Sequence, residues 1–125
     1  MRLLLDTHVV LWQLAGEREL SGEVRQAIEE ADDLLVSVVS FAEIGVKAAI
    51  GKLDVPDGLD EHVRASGLRV LGLSPVHGLA VAGLPLHHRD PFDRLLIAQA
   101  ITERLTVVTA DRRFDAYPIH VVEVA

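Results

Sequence analysis

The sequence contains no cysteine, few aromatic residues and no long apolar run. Without cysteine, disulfides and thiolate metal sites are excluded, and a reducing compartment fits. No apolar stretch approaches the roughly 20 residues that span a bilayer. The three leucines near the N-terminus are too few for the apolar region of a signal peptide. We therefore expect a soluble, cytoplasmic protein that does not associate with a membrane.

Hydrophobic residues make up 50% of the chain, but Phe, Trp and Tyr together make up only 4%. The core must then consist of Leu, Val, Ile and Ala, which is typical of helices packed on a parallel sheet. A length of 125 residues suits one domain that spans residues 1–125. The formal net charge of −7 argues against binding of nucleic acid through a broad basic surface. A nucleic-acid enzyme remains possible, because a bound cation reverses the local field.

Short apolar runs alternate with segments of helical character along the chain. The apolar runs predict strands at residues 2–5, 34–38, 68–71, 106–109 and 119–122. The segments between them predict helices at residues 7–14, 22–30, 40–50, 59–65, 75–82 and 91–104, the first of which is expected to end near Gly16. This order predicts an α/β fold of three layers, α/β/α, with helices on both faces of a mostly parallel central sheet.

Four acidic residues stand where a predicted strand gives way to a helix. Asp6 and Asp111 directly follow strands, Glu43 follows the second strand after a short turn, and Asp93 lies in the first turn of the last helix. The ligand site of an open parallel sheet lies beyond the carboxyl ends of its strands, so we expect these four carboxylates to converge in one pocket. Such a pocket suits a hard divalent cation such as Mg²⁺ or Mn²⁺.

Helix capping is the competing explanation for each of these acids. Ser40 and Glu43 have the spacing of a capping box, in which the acid returns to the amide of the serine. Asp93 occupies the equivalent position after Asp90, the expected N-cap of its helix. The other two acids could each cap the helix that follows them. Capping does not, however, require all four acids to follow the carboxyl ends of strands.

Asp93 carries additional information. Its neighbours at helical spacing are Leu96, Ile97 and Ala100, which form an apolar stripe. A carboxylate on the face that packs against the sheet is costly unless it is paired or bound to a metal. The position therefore favours a functional role for Asp93. The six histidines show no metal-ligand spacing and are assigned ordinary structural or surface roles.

Four segments together resemble the motif set of the PIN domain, and most closely that of the VapC-type toxins of bacterial toxin–antitoxin pairs. They are residues 3–8 (LLLDTH), 37–44 (SVVSFAEI), 93–100 (DRLLIAQA) and 109–111 (TAD). The resemblance extends over essentially the whole chain, with the motifs in the right order. It implies a PIN-like fold and an endoribonuclease that depends on Mg²⁺ or Mn²⁺. It further implies a homodimer that a cognate antitoxin holds inactive.

Residue by residue, the resemblance implies that Asp6, Glu43 and Asp93 are the core catalytic, metal-binding acids. Asp111 would be the fourth, supported by Thr109. The implied reaction is metal-assisted hydrolysis of an RNA phosphodiester. Four basic residues near the acids are candidates for contact with RNA phosphates: Lys47, Arg94, Arg112 and Arg113. The segment 87–92, just before Asp93, resembles a variant found in part of the family, and the resemblance implies no particular function for it.

Two other functions remain open from the sequence. A phosphotransfer domain or phosphatase could use Asp6 as a covalent nucleophile. Such sites normally have a second acid beside the first and a lysine after a later strand, whereas Asp6 is followed by Thr7 and His8. A non-catalytic interaction domain would retain the acids only as caps. The presence of all the core acids argues against that second alternative.

Overall fold

The computed structural model describes residues 1–15 and 20–124. Its strands are β1 (Arg2–Leu5), β2 (Asp33–Ser37), β3 (Arg69–Leu71), β4 (Thr106–Thr109) and β5 (Val121–Glu123). Its helices are α1 (Thr7–Ala15), α2 (Gly22–Glu30), α3 (Val38–Ala49), α4 (Leu59–Ala65), α5 (Pro75–Ala80) and α6 (Pro91–Glu103), with 3₁₀ helices at Val81–Gly83 and Arg112–Ala116. No helix within the described ranges has the length and apolar character of a membrane span.

The five strands form one parallel sheet in the order β3-β2-β1-β4-β5. The central strand β1 is fully buried from Leu3 to Leu5, and its side chains alternate between the two faces. Leu3 and Leu5 pack in a cluster with residues of α1, α2 and α4. Leu4 packs in a second cluster with residues of α3 and α6. The predicted three-layer α/β/α fold is therefore confirmed.

Most predicted boundaries lie within two residues of the observed ones, but the start of α3 differs in a way that matters. The hydroxyl of Ser37 accepts a hydrogen bond from the Val39 amide at 3.0 Å, so the helix begins directly after β2. Ser40 lies within the helix and its hydroxyl accepts a hydrogen bond from Thr7. The capping box predicted for Ser40 and Glu43 is therefore wrong. The expected end of the first helix near Gly16 lies outside the described residues.

The start of α6 agrees with the prediction. One side-chain oxygen of Asp90 accepts hydrogen bonds from the Phe92 amide at 2.8 Å and the Asp93 amide at 3.2 Å. Pro91 occupies the first helical position, where its missing N–H costs nothing. The Asp90 cap thus fixes the backbone of Asp93 at the entrance of the helix.

Arg94 holds the chain segment that precedes α6. The residue is only 9% exposed. Its Nη1 donates to the carbonyls of Pro85 at 2.9 Å and His88 at 3.3 Å, and its Nη2 donates to those of Val81 and Leu84, each at 3.1 Å. The prediction that Arg94 contacts RNA phosphate is therefore wrong, because its guanidinium is buried and already donates hydrogen bonds to four backbone carbonyls.

We expect Arg94→Met to lower the free energy of unfolding by about 2–3 kcal/mol, because several carbonyls lose a charged donor. The matched control is Arg89→Met, which removes the charge of an exposed arginine from the same segment. Urea denaturation of both variants measures the difference. Equal stability of the two variants would contradict the conclusion that Arg94 stabilises the backbone of residues 81–88.

Candidate metal centre

The structure brings the four predicted acids together at the carboxyl ends of the strands. Asp6 follows β1, Asp111 lies just beyond β4, Glu43 comes from α3, and Asp93 comes from the first turn of α6. The pKa of Asp93 is raised to about 8, chiefly by burial and in smaller part by the negative charges of Asp6, Asp90, Glu43 and Asp111. The Asp93 carboxyl therefore faces the other three predicted acids and the helix cap.

Asp6 is 4% exposed at the end of the central strand. One of its oxygens, Oδ2, accepts a hydrogen bond from the Thr109 hydroxyl at 2.8 Å. Burial raises the pKa of Asp6, and the charge of Glu43 adds to this, although the Thr109 hydrogen bond opposes it. The other oxygen, Oδ1, is buried and has no hydrogen-bond partner among the described residues.

Glu43 lies within α3 and is 1% exposed. Its Oε2 accepts a hydrogen bond from Lys47, one helical turn later, at 2.5 Å. This hydrogen bond raises the pKa of Lys47, so the ammonium is held beside the acid. The Oε1 atom of Glu43 is buried and, within the described part of the chain, unpartnered. The hydrogen bond between Thr7 and Ser40, 2.8 Å long, ties the start of α1 to α3 and brings Asp6 close to Glu43.

These two orphaned oxygens are the feature that tests whether the site fits a metal. A buried carboxylate oxygen without a partner is costly, and native structures contain few of them. Hard divalent cations take carboxylate oxygens as ligands, so Asp6 Oδ1 and Glu43 Oε1 are atoms of the kind that such a cation binds. The donor set of these acids with Asp93 therefore fits a divalent cation.

Asp111 differs from the other three acids, because both of its oxygens have partners. Its Oδ1 accepts from the amide and Nε of Arg113, and its Oδ2 accepts from Nη2 of Arg113 and Nε2 of His88, all at 2.9–3.0 Å. Burial acts to raise its pKa, but the hydrogen bonds from Arg113 and His88 outweigh burial and lower it. Asp111 also caps the 3₁₀ helix Arg112–Ala116, as one alternative predicted.

His88 was not among the functional residues predicted from the sequence. It is 1% exposed, and its Nε2 lies 2.9 Å from Asp93 Oδ2 and 3.0 Å from Asp111 Oδ2. The sequence assigns His88 an ordinary structural or surface role, and its contacts with two of the four acids make it a further candidate for the site. Its one signal in the sequence was its place in the segment that leads into the helix of Asp93.

Three of the basic residues predicted to contact RNA lie near the acids but already have acidic partners. Lys47 forms a salt bridge with Glu43. Arg113 forms one with Asp111, although its side chain is 64% exposed. Arg112 is 86% exposed and pairs with Glu123 at 3.2 Å. Both arginines can therefore still reach a ligand from the surface.

Residues 3–119 match the family model of the PIN domain. The chain belongs to the PIN-domain family. The resemblance drawn from the four sequence motifs is thus confirmed over most of the chain.

Individual proteins are also similar to this chain in sequence or in structure. It is 36% identical over 123 residues to Ribonuclease VapC22 of Mycobacterium tuberculosis. The alignment covers 91% of that protein and 92% of this chain. Its structure matches that of VapBC2 from Rickettsia felis bound to a DNA fragment from their promoter, with a TM-score of 0.73, 16% identity and full coverage of both chains. It also matches a toxin–antitoxin complex from Klebsiella pneumoniae, with a TM-score of 0.64, 22% identity and coverage of 96% and 95%. The two structures share the fold.

We expect Asp93→Asn to stabilise the metal-free protein, increasingly so as the pH rises from about 4 to 8. In the folded state the pKa of Asp93 is about 8, against an ordinary value of 3.8. Between these values the folded protein binds one proton more than the unfolded chain, so the native Asp93 loses stability with rising pH and the variant does not. Solvent screening keeps the expected gain at pH 8 to roughly 2 kcal/mol.

Urea unfolding in EDTA at pH 5 and pH 8 measures this effect. The control is Asp115→Asn, which neutralises an exposed acid and should show no such dependence on pH. Destabilisation of Asp93→Asn at both pH values would instead support a capping role for Asp93.

Proposed function

We propose that this protein is an endoribonuclease that hydrolyses RNA phosphodiesters with Mg²⁺ or Mn²⁺, and that it is the toxin of a VapBC-type toxin–antitoxin pair. The observation that carries the proposal is a pair of buried oxygens, Asp6 Oδ1 and Glu43 Oε1, that have no partner among the described residues and belong to acids near Asp93 in a PIN domain. The identity of 36% with a protein named as a ribonuclease supports the reaction class.

In this proposal Asp6, Glu43 and Asp93 would hold the cation through their carboxylate oxygens. When bound, Mg²⁺ or Mn²⁺ supplies Lewis-acid polarisation of the phosphate and activation of water. Lys47 holds Glu43 in place, and Thr109 holds Asp6.

Asp111 is proposed as the fourth catalytic acid of the site. Its engagement by Arg113 and His88 suits it to orienting the attacking water more than to direct coordination. We include Asp111 among the catalytic acids because residues 109–111 match the fourth motif and because its charge acts on Asp93.

The attacking group is proposed to be water and not the ribose 2′-hydroxyl. Attack by the 2′-hydroxyl needs a general base within hydrogen-bond reach. The Nε2 atom of His88 donates to Asp111, and its Nδ1 accepts from the Asp90 amide, so His88, the histidine of the site, is not free to act as that base. Hydrolysis by water leaves a 5′-phosphate and a 3′-hydroxyl.

The non-catalytic alternative loses support from the position of Glu43. It lies inside α3, away from the cap formed by Ser37, and therefore gives the helix start no stabilisation as a capping residue. A buried acid that caps nothing calls for another role.

The proposal includes three binding partners: an RNA substrate, a cognate antitoxin and a second copy of this chain in a homodimer. The antitoxin is inferred because the similar chains from Rickettsia felis and Klebsiella pneumoniae come from VapBC2 and from a toxin–antitoxin complex. Homodimerisation rests on the family resemblance. Action on RNA would place the protein in the cytoplasm.

We expect the purified protein to cut single-stranded or loop RNA in Mg²⁺ or Mn²⁺, and EDTA to stop the cleavage. Asp6→Asn and Glu43→Gln should each lower the rate by on the order of 100-fold, because each removes a charged ligand oxygen. End analysis of the products by gel electrophoresis should find 5′-phosphate and 3′-hydroxyl ends.

Two controls make this test of cleavage specific. Asp115→Asn removes an equal charge from the surface and should leave the rate unchanged. A single 2′-deoxy substitution at the cut site should not abolish cleavage. A 2′,3′-cyclic phosphate product, or undiminished cleavage in EDTA, would disprove the mechanism.

The double substitution of Arg112 and Arg113 by Gln is expected to weaken RNA binding. If both contact phosphates of a single strand, the slope of log K against log salt should fall by about 1.4, or about 0.7 per contact. Affinity for Mn²⁺ should not fall, because the change removes positive charge beside the acids. Arg64→Gln, an exposed arginine on α4, is the control. Unchanged RNA affinity in the double variant would place the RNA-binding surface elsewhere.

A further inference from the structure

The segment before α6 contains one buried titratable side chain, His88, to which the four-acid site gives no role. Its backbone amide donates to the Tyr117 hydroxyl at 2.9 Å. Its ring packs edge-on against Phe114, with ring centroids 5.8 Å apart at 84°. Arg94 donates to its carbonyl. The backbone and the ring of His88 are therefore both fixed in place.

The hydrogen bonds of the ring determine which nitrogen carries the proton. The Asp90 amide lies 3.2 Å from Nδ1 of His88 and donates to it. A backbone N–H can only donate, so Nδ1 presents its lone pair and Nε2 carries the hydrogen. The Nε2–H group donates to Asp111 Oδ2 at 3.0 Å and lies 2.9 Å from Asp93 Oδ2.

This tautomer decides between two roles for His88. One ligand atom each from His88, Asp93 and Asp111 lies within 4.8 Å of the others, a spacing that could hold a metal ion. Coordination by Nε2 needs its lone pair, which would move the proton to Nδ1, against the donating amide of Asp90. Coordination would thus break the hydrogen bond that orients the ring.

We propose that His88 is a positioning residue, whose Nε2–H group bridges Asp93 and Asp111 and keeps the Asp93 carboxyl beside Asp6 and Glu43. Two carboxylates that approach the same point repel each other unless a donor lies between them. A neutral imidazole supplies that donor without adding a positive charge that would compete with a cation. Orienting contacts of this kind commonly support metal-ligating side chains. The inference rests on the proposed function for its set of metal ligands.

Two variants test the roles of the two ring nitrogens of His88 separately. In His88→Asn the carboxamide oxygen reaches approximately the position of Nδ1, so it can still accept from the Asp90 amide, but the donor to the acids is lost. In His88→Gln the amide NH₂ group reaches approximately the position of Nε2, so the donor to the acids is kept. His87→Asn changes the exposed neighbouring histidine and serves as the control.

We expect His88→Asn to weaken Mn²⁺ binding by roughly 10–100-fold. His88→Gln should restore most of the affinity, and His87→Asn should match the unchanged protein. Calorimetric titration of Mn²⁺ into the full chain measures these affinities. Wild-type affinity in His88→Asn, or equal losses in the Asn and Gln variants, would overturn the positioning role.

A second measurement needs no variant. Long-range ¹H–¹⁵N correlation spectra of the metal-free protein should show His88 protonated at Nε2 and bare at Nδ1, and the same tautomer should persist when Mg²⁺ is added. A proton on Nδ1 in either state would overturn the inference. If the protein binds no divalent cation, the proposed function fails, whereas this spectrum still tests the bridge by itself.

Discussion

Burial of negative charge at the carboxyl end of the central strand is the constraint on which the rest of this structure depends. The apolar sheet carries Asp6 to the end of its most buried strand, and two helices bring Glu43 and Asp93 against it. Clustered acids in such a place raise one another's pKa and oppose folding. Each polar residue around the site can be understood by the carboxylate oxygen to which it donates a hydrogen bond.

That compensation separates Asp111 from Asp6 and Glu43. Asp111 has both oxygens bound, by Arg113 and by His88. Asp6 and Glu43 each have one oxygen bound, to Thr109 and Lys47 respectively, and one left buried without a partner among the described residues. The fold thus compensates part of its buried negative charge internally and leaves one oxygen on each of these two acids without a partner in the described part of the chain. These oxygens are the basis of the proposed divalent-cation site.

The segment before α6 links stability to the site. Arg94 binds four backbone carbonyls of residues 81–88, and this holds His88 against Phe114. His88 in turn contacts Asp93 and Asp111. The buried guanidinium of Arg94 therefore fixes the backbone of the residue whose imidazole contacts two of the acids.

The sequence by itself determined the order of strands and helices, the Asp90 cap and the position of the acids relative to the strands. These features depend on residues close together in the chain, whose spacing is visible directly. Tertiary structure alone decided that Arg94 is buried, that Ser40 accepts a hydrogen bond from Thr7, and that His88 meets Asp111 across 23 positions. Such contacts form where separate elements pack together, and a pairing between distant residues leaves no periodic pattern along the chain.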